Sequence, residues 1–272
     1  MHLLVWIVLF TALGGALSAL AASLFLIAPE RLRTRVLPHL VSFATGALLG
    51  AALLGLLPHA IEEAGISGTH NVGLTLLAGL LIFFVLEKMV LWRHCHSEVC
   101  EGHVPPVGHG HGHSHGHATD AQRDAASASL ILIGDGFHNV LDGVLIAAAF
   151  MTDVHLGVVT ALAVIAHEIP QEVGDLAILL HGGMSRMRAL TLNLLTSLTS
   201  VVGGVAAYFA LGPVHQVLPY AISLAAASFL YIAVADLIPG LHRRVDAGSG
   251  VRQFVFIVLG VAVIYVSHSL AH

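Results

Sequence analysis

Residues 135–143 read DGFHNVLDG and residues 167–175 read HEIPQEVGD, each set well inside an otherwise apolar run, the first over 127–152 and the second over 157–180. A helix of roughly 20 apolar residues crosses the hydrocarbon of a bilayer, so both motifs fall near its middle. Together they carry Asp135, His138, Asp142, His167, Glu168, Glu172 and Asp175. A charged side chain at that depth costs about 2.5–3.5 kcal/mol, so the set would cost on the order of 20 kcal/mol if left unpaired in lipid. These groups are therefore expected to face one another, water or a bound cation.

Helical spacing says which of them can meet, because residues four apart share a face. His138 and Asp142 form one pair, with Asp135 about one turn earlier on the same stripe. His167 and Gln171 form a second pair, and Glu168 and Glu172 a third, rotated by about 100°. Two helices presenting these stripes to each other would surround a point with imidazole nitrogens and with carboxylate and amide oxygens. That ligand set suits a borderline divalent ion and supplies negative charge to offset it. Pro170 removes a backbone hydrogen bond and frees the Ala166 carbonyl, which is tolerated at membrane depth where the backbone lines a cavity or meets another helix. Gly136, Gly143 and Gly174 permit close helix approach.

The rest of the chain agrees with a lipid setting. Of its 272 residues, 57% are hydrophobic and only 10% charged, against about 25% charged in a soluble domain. The mean hydropathy is +0.88. Apolar runs near 3–27, 36–58, 71–92, 127–152, 157–180, 186–211, 216–240 and 251–270 predict an all-α polytopic membrane protein with eight transmembrane helices in one domain. The first run has only Met1 and His2 before it and lacks the basic flank of a secretory signal, so a retained helix is expected.

The basic residues set the expected topology. Arg31, Arg33 and Arg35 lie between runs 1 and 2, and Lys88, Arg93 and Arg123 lie around the loop between runs 3 and 4. Arg186 and Arg188 lie between runs 5 and 6, and Arg243, Arg244 and Arg252 between runs 7 and 8, which accounts for all 11. Basic residues collect on the cytoplasmic side, so both termini are expected outside.

The loop over 93–126 then lies in the cytoplasm. It holds His94, Cys95, His96, Cys100 and His103, then His109, His111, His113, His115 and His117 at alternate positions. Cytoplasmic thiols stay reduced, which argues against a disulfide. Glycine between the histidines and the lack of apolar residues predict a mobile tract that binds late first-row ions weakly and interchangeably.

The pattern HNxxDG followed by HExPxExGD resembles the ZIP family of metal transporters, particularly its LIV-1-like branch. The likeness extends to eight spans, outer termini, a His-rich loop between spans 3 and 4, and the seventh-span stretch from Tyr231 through Asp236 to Pro239. It implies a transport site built from His138, Asn139, Asp142, His167, Glu168 and Gln171, ion movement toward the cytoplasm, and commonly a homodimer. Two departures stand out. LIV-1-type members usually have His where this chain has Gln171. Some bacterial relatives place on the sixth span a Glu that completes a second metal site, whereas here the matching stretch offers only Ser197, Thr199 and Ser200, so one full site is expected.

Further residues are placed as a metal pathway. His59 and Glu63, four apart beyond Pro58, are read as a gathering point at the outer mouth, with Glu62 beside them. Asp236 and His242 are read as an exit relay and Glu172 as a further pathway residue, while Glu87 beside Lys88 reads as an interfacial ion pair. An intramembrane hydrolase on the H-E-x-x-H plan needs a second His at position 171 and is not expected. A sensor or buffer that does not transport would need the loop but not the buried charges. The absence of Cys and Met from the motifs disfavours Cu(I), and the imidazoles disfavour Mg²⁺ and Ca²⁺. Zn²⁺ is the expected cargo, with Cd²⁺, Fe²⁺ and Mn²⁺ as further candidates. The bilayer and metal ions are the expected partners, no nucleic acid is, and a plasma or inner membrane is the expected location.

Overall fold

A computed structural model describes residues 3–94, 117–181, 183–212, 215–242 and 247–269. Every regular element among them is helical. They are α1 (Leu3–Ile27), α2 (Glu30–Gly50), α3 (Leu57–His94), α4 (His117–Thr152), α5 (Val154–His181), α6 (Arg186–Ser197), α7 (Thr199–Leu211), α8 (Leu218–Tyr231), α9 (Ile238–His242) and α10 (Ala247–Ser269). Wider π-helical turns, Ala51–Leu56 and Ile232–Leu237, join α2 to α3 and α8 to α9.

Among the described residues, seven helical stretches are long and apolar enough to cross a membrane. One of them, Glu30–Leu86, has 57 residues. At 1.5 Å per residue this is about 85 Å, far more than the ~30 Å of hydrocarbon that one crossing needs. It is interrupted at Gly65, whose φ of 66° and ψ of 178° lie outside helical space. A side chain is strained at that positive φ, which explains the glycine. The sixth run, expected as one helix, breaks at Leu198 into α6 and α7. α4 begins at His117, before the apolar run that predicted it.

The burial pattern is that of a bundle in lipid. α1 buries Gly14, Gly15, Ser18, Ala19 and Ala22 and leaves Leu13, Leu17, Leu20 and Leu24 exposed. Small residues inside and large apolar residues outside make sense where the solvent is itself hydrocarbon and close backbone packing drives association. α10 likewise exposes Phe254, Val255, Val258 and Leu259.

Two packed groups emerge. α4 lies along α7 and α5, with α1 against α5 and α7, while α2 pairs with α10 and α3 with α8. α2 also packs on α5 and ties the groups together. The α4–α7 seam is the tightest: a Cβ at Gly143 would overlap the Ser200 carbonyl, and one at Gly203 would overlap that of Val140. Across the same seam the Thr199 hydroxyl donates to the Gly136 carbonyl at 2.8 Å. The seam holds the motif-bearing half of α4 against the bundle.

Gly143→Ala should therefore lower the thermal unfolding midpoint of the purified protein. Overpacking of this kind costs about 1–3 kcal/mol, or several degrees in a chain of this size. Gly73→Ala, where an added Cβ meets nothing within 4 Å, should leave the midpoint unchanged or slightly raised. Equal midpoints for both variants would show that the seam does not limit stability.

Candidate metal centre

α4 and α5 are joined by Asp153 alone, so they form an antiparallel hairpin that sets the two motifs side by side. Asp153 caps α5: its Oδ1 accepts the backbone N–H of His155 at 2.8 Å and of Leu156 at 3.0 Å. Burial pushes the Asp153 carboxyl up, but these two N–H groups and the nearby His155 and His59 outweigh it and hold the group below the ordinary range.

The hairpin brings four side chains together. His138, Asp142, His167 and Glu168 each place a ligand atom within 4.8 Å of the others. Asp142, His167 and Glu168 are buried, and only His138 keeps an accessible side, at 23%. Nε2 of His138 and of His167 are 3.4 Å apart. His167 Nε2 lies 3.2 Å from Asp142 Oδ2 and 3.6 Å from Glu168 Oε1. His138 Nε2 lies 3.8 Å and 3.5 Å from the same two oxygens.

These edges can be compared with zinc chemistry. Ligands at about 2.0–2.1 Å around a tetrahedral ion are separated from one another by about 3.3–3.4 Å. The five edges given above straddle that length. A hydrogen bond from the ring N–H at Nδ1 of His167 to the Ala163 carbonyl, 3.0 Å long, leaves Nε2 with a bare lone pair facing the centre. An acceptor nitrogen then confronts acceptor oxygens, and both oxygens of Asp142 and of Glu168 are buried without a hydrogen-bond partner. A bound cation, or protonation of the imidazoles, relieves the repulsion among these atoms. Phe229 of α8 meets the His167 ring edge-on, with centroids 6.0 Å apart, and closes one wall.

The other expected residues divide. Asn139 is buried, but its amide donates to Asp135, at 2.9 Å to Oδ1 and 3.2 Å to the carbonyl. Its described bonds thus position a neighbour. Gln171 is half-buried one turn after His167. Glu172 is fully buried and accepts hydrogen bonds from the Asn193 amide and, at 2.5 Å, the Ser197 hydroxyl, both on α6. Asp135, Glu168 and Glu172 make a second group with ligand oxygens within 4.8 Å of one another. The sequence reading expected one full site and did not place Asp135 among the ligands. Asn193 was missed, although it stands four residues before Ser197 on one face of α6.

Nearer the surface, the His59 ring donates from Nδ1 to the Gly55 carbonyl at 3.0 Å. Glu62 and Glu63 are exposed, and Glu63 lines a surface cleft with Ala64, Gln216, Pro219 and Tyr220. His242 is exposed at the end of α9. The side chains of Glu87, Asp236 and His117, together with Cys95, Cys100 and His109–His115, lie outside the described residues.

The molecule is thus an all-helical membrane protein whose α4–α5 hairpin gathers side chains that could hold a metal ion. A profile of the ZIP zinc transporter family matches residues 2–268. The chain is 30% identical to zinc transporter zipt-7.1 of Caenorhabditis briggsae, covering 96% of this chain and 79% of that protein. It is 31% identical to zinc transporter ZIP13 of Mus musculus, over 84% and 68% of the two chains. With zinc transporter ZIP5 of Homo sapiens it shares 35% identity over 86% of this chain and 53% of the other. The chain belongs to the ZIP zinc transporter family, integral membrane proteins that transport zinc and are not enzymes.

The Glu172 anchor makes a stability prediction. Asn193→Ala and Ser197→Ala each strip a donor from a buried carboxylate, a loss of about 1–3 kcal/mol. Thermal unfolding should show a lower midpoint for each, and a larger drop for the double variant. Midpoints equal to wild type in all three would mean that α6 does not hold Glu172.

Proposed function

We propose that this chain carries Zn²⁺ toward the cytoplasm through the site formed by His138, Asp142, His167 and Glu168, with Gln171 beside it. The convergence of two imidazole nitrogens and two carboxylate oxygens at edge lengths near those of a zinc tetrahedron supports this reading. Half-exposed His138 is the point of entry and exit. Fe²⁺, Cd²⁺ and Mn²⁺ are secondary cargoes of the same ligand set.

The break at Gly65 divides the long α2–α3 stretch, and with it the seven apolar stretches amount to eight crossings. The distribution of Lys and Arg then places both ends outside and the 93–126 loop in the cytoplasm of a plasma or inner membrane. The histidines of that loop gather or sense metal and are accessory to the path. His59 and Glu63 serve the outer side, and Asp236 and His242 the inner. The homodimer is carried over from the family resemblance.

Uptake of labelled zinc into proteoliposomes tests the site. His138→Ala, Asp142→Ala and His167→Ala each remove a ligand and should lower saturable flux by more than the roughly 10–100-fold that loss of a supporting partner costs. Unchanged flux in all three folded variants would place the path elsewhere.

Gln171→His supplies a strong nitrogen donor, so zinc should bind more tightly and be preferred more strongly over Mn²⁺ in competition uptake. Gln171→Glu should shift preference toward oxygen-seeking ions. An unchanged selectivity order in both variants would show that Gln171 does not touch the ion.

A further inference from the structure

We infer that Phe229 is a positioning residue for zinc transport: it does not ligate the ion but clamps the His167 ring so that Nε2 stays aimed at the centre. The role rests on the reading of His138, Asp142, His167 and Glu168 as the zinc site.

The two imidazoles of that site are held very differently. His167 is 1% exposed, and its ring is fixed from three directions. Its Nδ1 is tied to the Ala163 carbonyl at 3.0 Å. The His138 ring meets it almost at right angles, at 84° with centroids 5.6 Å apart. Phe229 meets it at 62° with centroids 6.0 Å apart. Both distances fall in the range of favourable edge-to-face aromatic pairs. A single hydrogen bond lets an imidazole rock about the bonded nitrogen, and a ring wedged against it removes that freedom. His138, by contrast, keeps 23% of its side chain accessible. Among the described hydrogen bonds, none engages its Nδ1.

Phe229 has a stiff backing. It is fully buried and comes from α8, outside the α4–α5 hairpin, with Ala225, Ala226 and Ala227 buried beside it. These small side chains let neighbouring helices approach the α8 backbone. On the α3 side the approach is so close that a Cβ at Gly79 would overlap the Cβ of Ala227. α3 thus braces α8, and α8 presents the ring to the site. An aliphatic side chain could fill the same volume, but it has neither the flat face nor the quadrupole that sets an imidazole edge-on.

The consequence is a division of labour. His167 is the fixed anchor, with its nitrogen pre-aimed, and His138 is the ligand with room to move as the ion enters and leaves. Loss of a group that orients a metal ligand costs roughly 10–100-fold in affinity. A ring contact is weaker than a hydrogen bond, so removing the Phe229 ring should cost about tenfold, the lower end of that range. The path itself stays open, because a loosened ligand weakens capture and eases release.

Labelled zinc uptake by the full chain in proteoliposomes separates these effects, with thermal unfolding as the check on folding. Phe229→Leu should raise the KM for zinc about tenfold while the maximal rate is kept or increased. Phe229→Tyr, which restores the ring, should bring KM back toward wild type. A KM equal to wild type in Phe229→Leu overturns the assignment, and so does a lower maximal rate at unchanged KM, which is the signature of packing alone. Equal KM values for the Leu and Tyr variants overturn it as well. If Phe229→Leu does not fold, Phe229→Met removes the ring with less change of shape and is read in the same way. His167→Ala is measured alongside: zinc uptake unchanged in that variant sinks the zinc-site reading, whereas its loss beside a normal KM in Phe229→Leu sinks only the role of Phe229.

Discussion

Lipid offers a buried charge neither water nor counter-ions, and that constraint shapes the centre of this protein. The carboxylates of Asp142 and Glu168 are buried with all four oxygens lacking hydrogen-bond partners. The nearest nitrogens, Nε2 of His138 and His167, lie 3.2–3.8 Å away, and the His167 nitrogen brings a lone pair to the centre. A divalent cation among these atoms would satisfy their acceptors together. The architecture around them serves to hold this unfavourable set in place. The one-residue turn at Asp153 aligns α4 with α5, the Gly143–Gly203 seam presses α4 onto α7, and α6 grips Glu172 through Asn193 and Ser197.

The same features explain how capture and release coexist. A site closed on all sides would trap its ion, whereas His138 stays half-exposed beside three buried partners. Conduction through a membrane requires binding favourable enough to enter and weak enough, or divided enough, to leave. Glu168 belongs both to the group with His138, Asp142 and His167 and to a carboxylate group with Asp135 and Glu172. The π-helical turns at 51–56 and 232–237 fall in α2–α3 and α8–α9, outside the α4–α5 hairpin. That leaves the motif helices regular, including α5 through Pro170.

Much of this was legible in the sequence because membrane helices announce themselves by length and apolarity, and ligand pairs by spacing of four. The pairing of His138 with Asp142, and their meeting with His167 and Glu168, follows from two stripes facing across a hairpin. What escaped reading was tertiary. The family resemblance implies Asn139 as a ligand, and helical geometry turns its amide nitrogen back onto Asp135. Ser197 looked like a poor substitute for a helix-six carboxylate, but with Asn193 it instead orients one that α5 supplies. The break at Leu198 has no proline or glycine to mark it, and the seam between α4 and α7 depends on which glycines face each other. The relation of the histidine tract to the site stays a matter of composition, since His109–His115 lie outside the described residues.

The central claim is that a zinc ion sits among His138, Asp142, His167 and Glu168 at the middle of the bilayer. Zinc anomalous diffraction from crystals of the full chain grown with the metal tests it directly. The account predicts a peak between α4 and α5, about 2.0–2.2 Å from Nε2 of both histidines and from an oxygen of each carboxylate. Zinc found only outside the α4–α5 hairpin, with no peak among these four side chains, would contradict it.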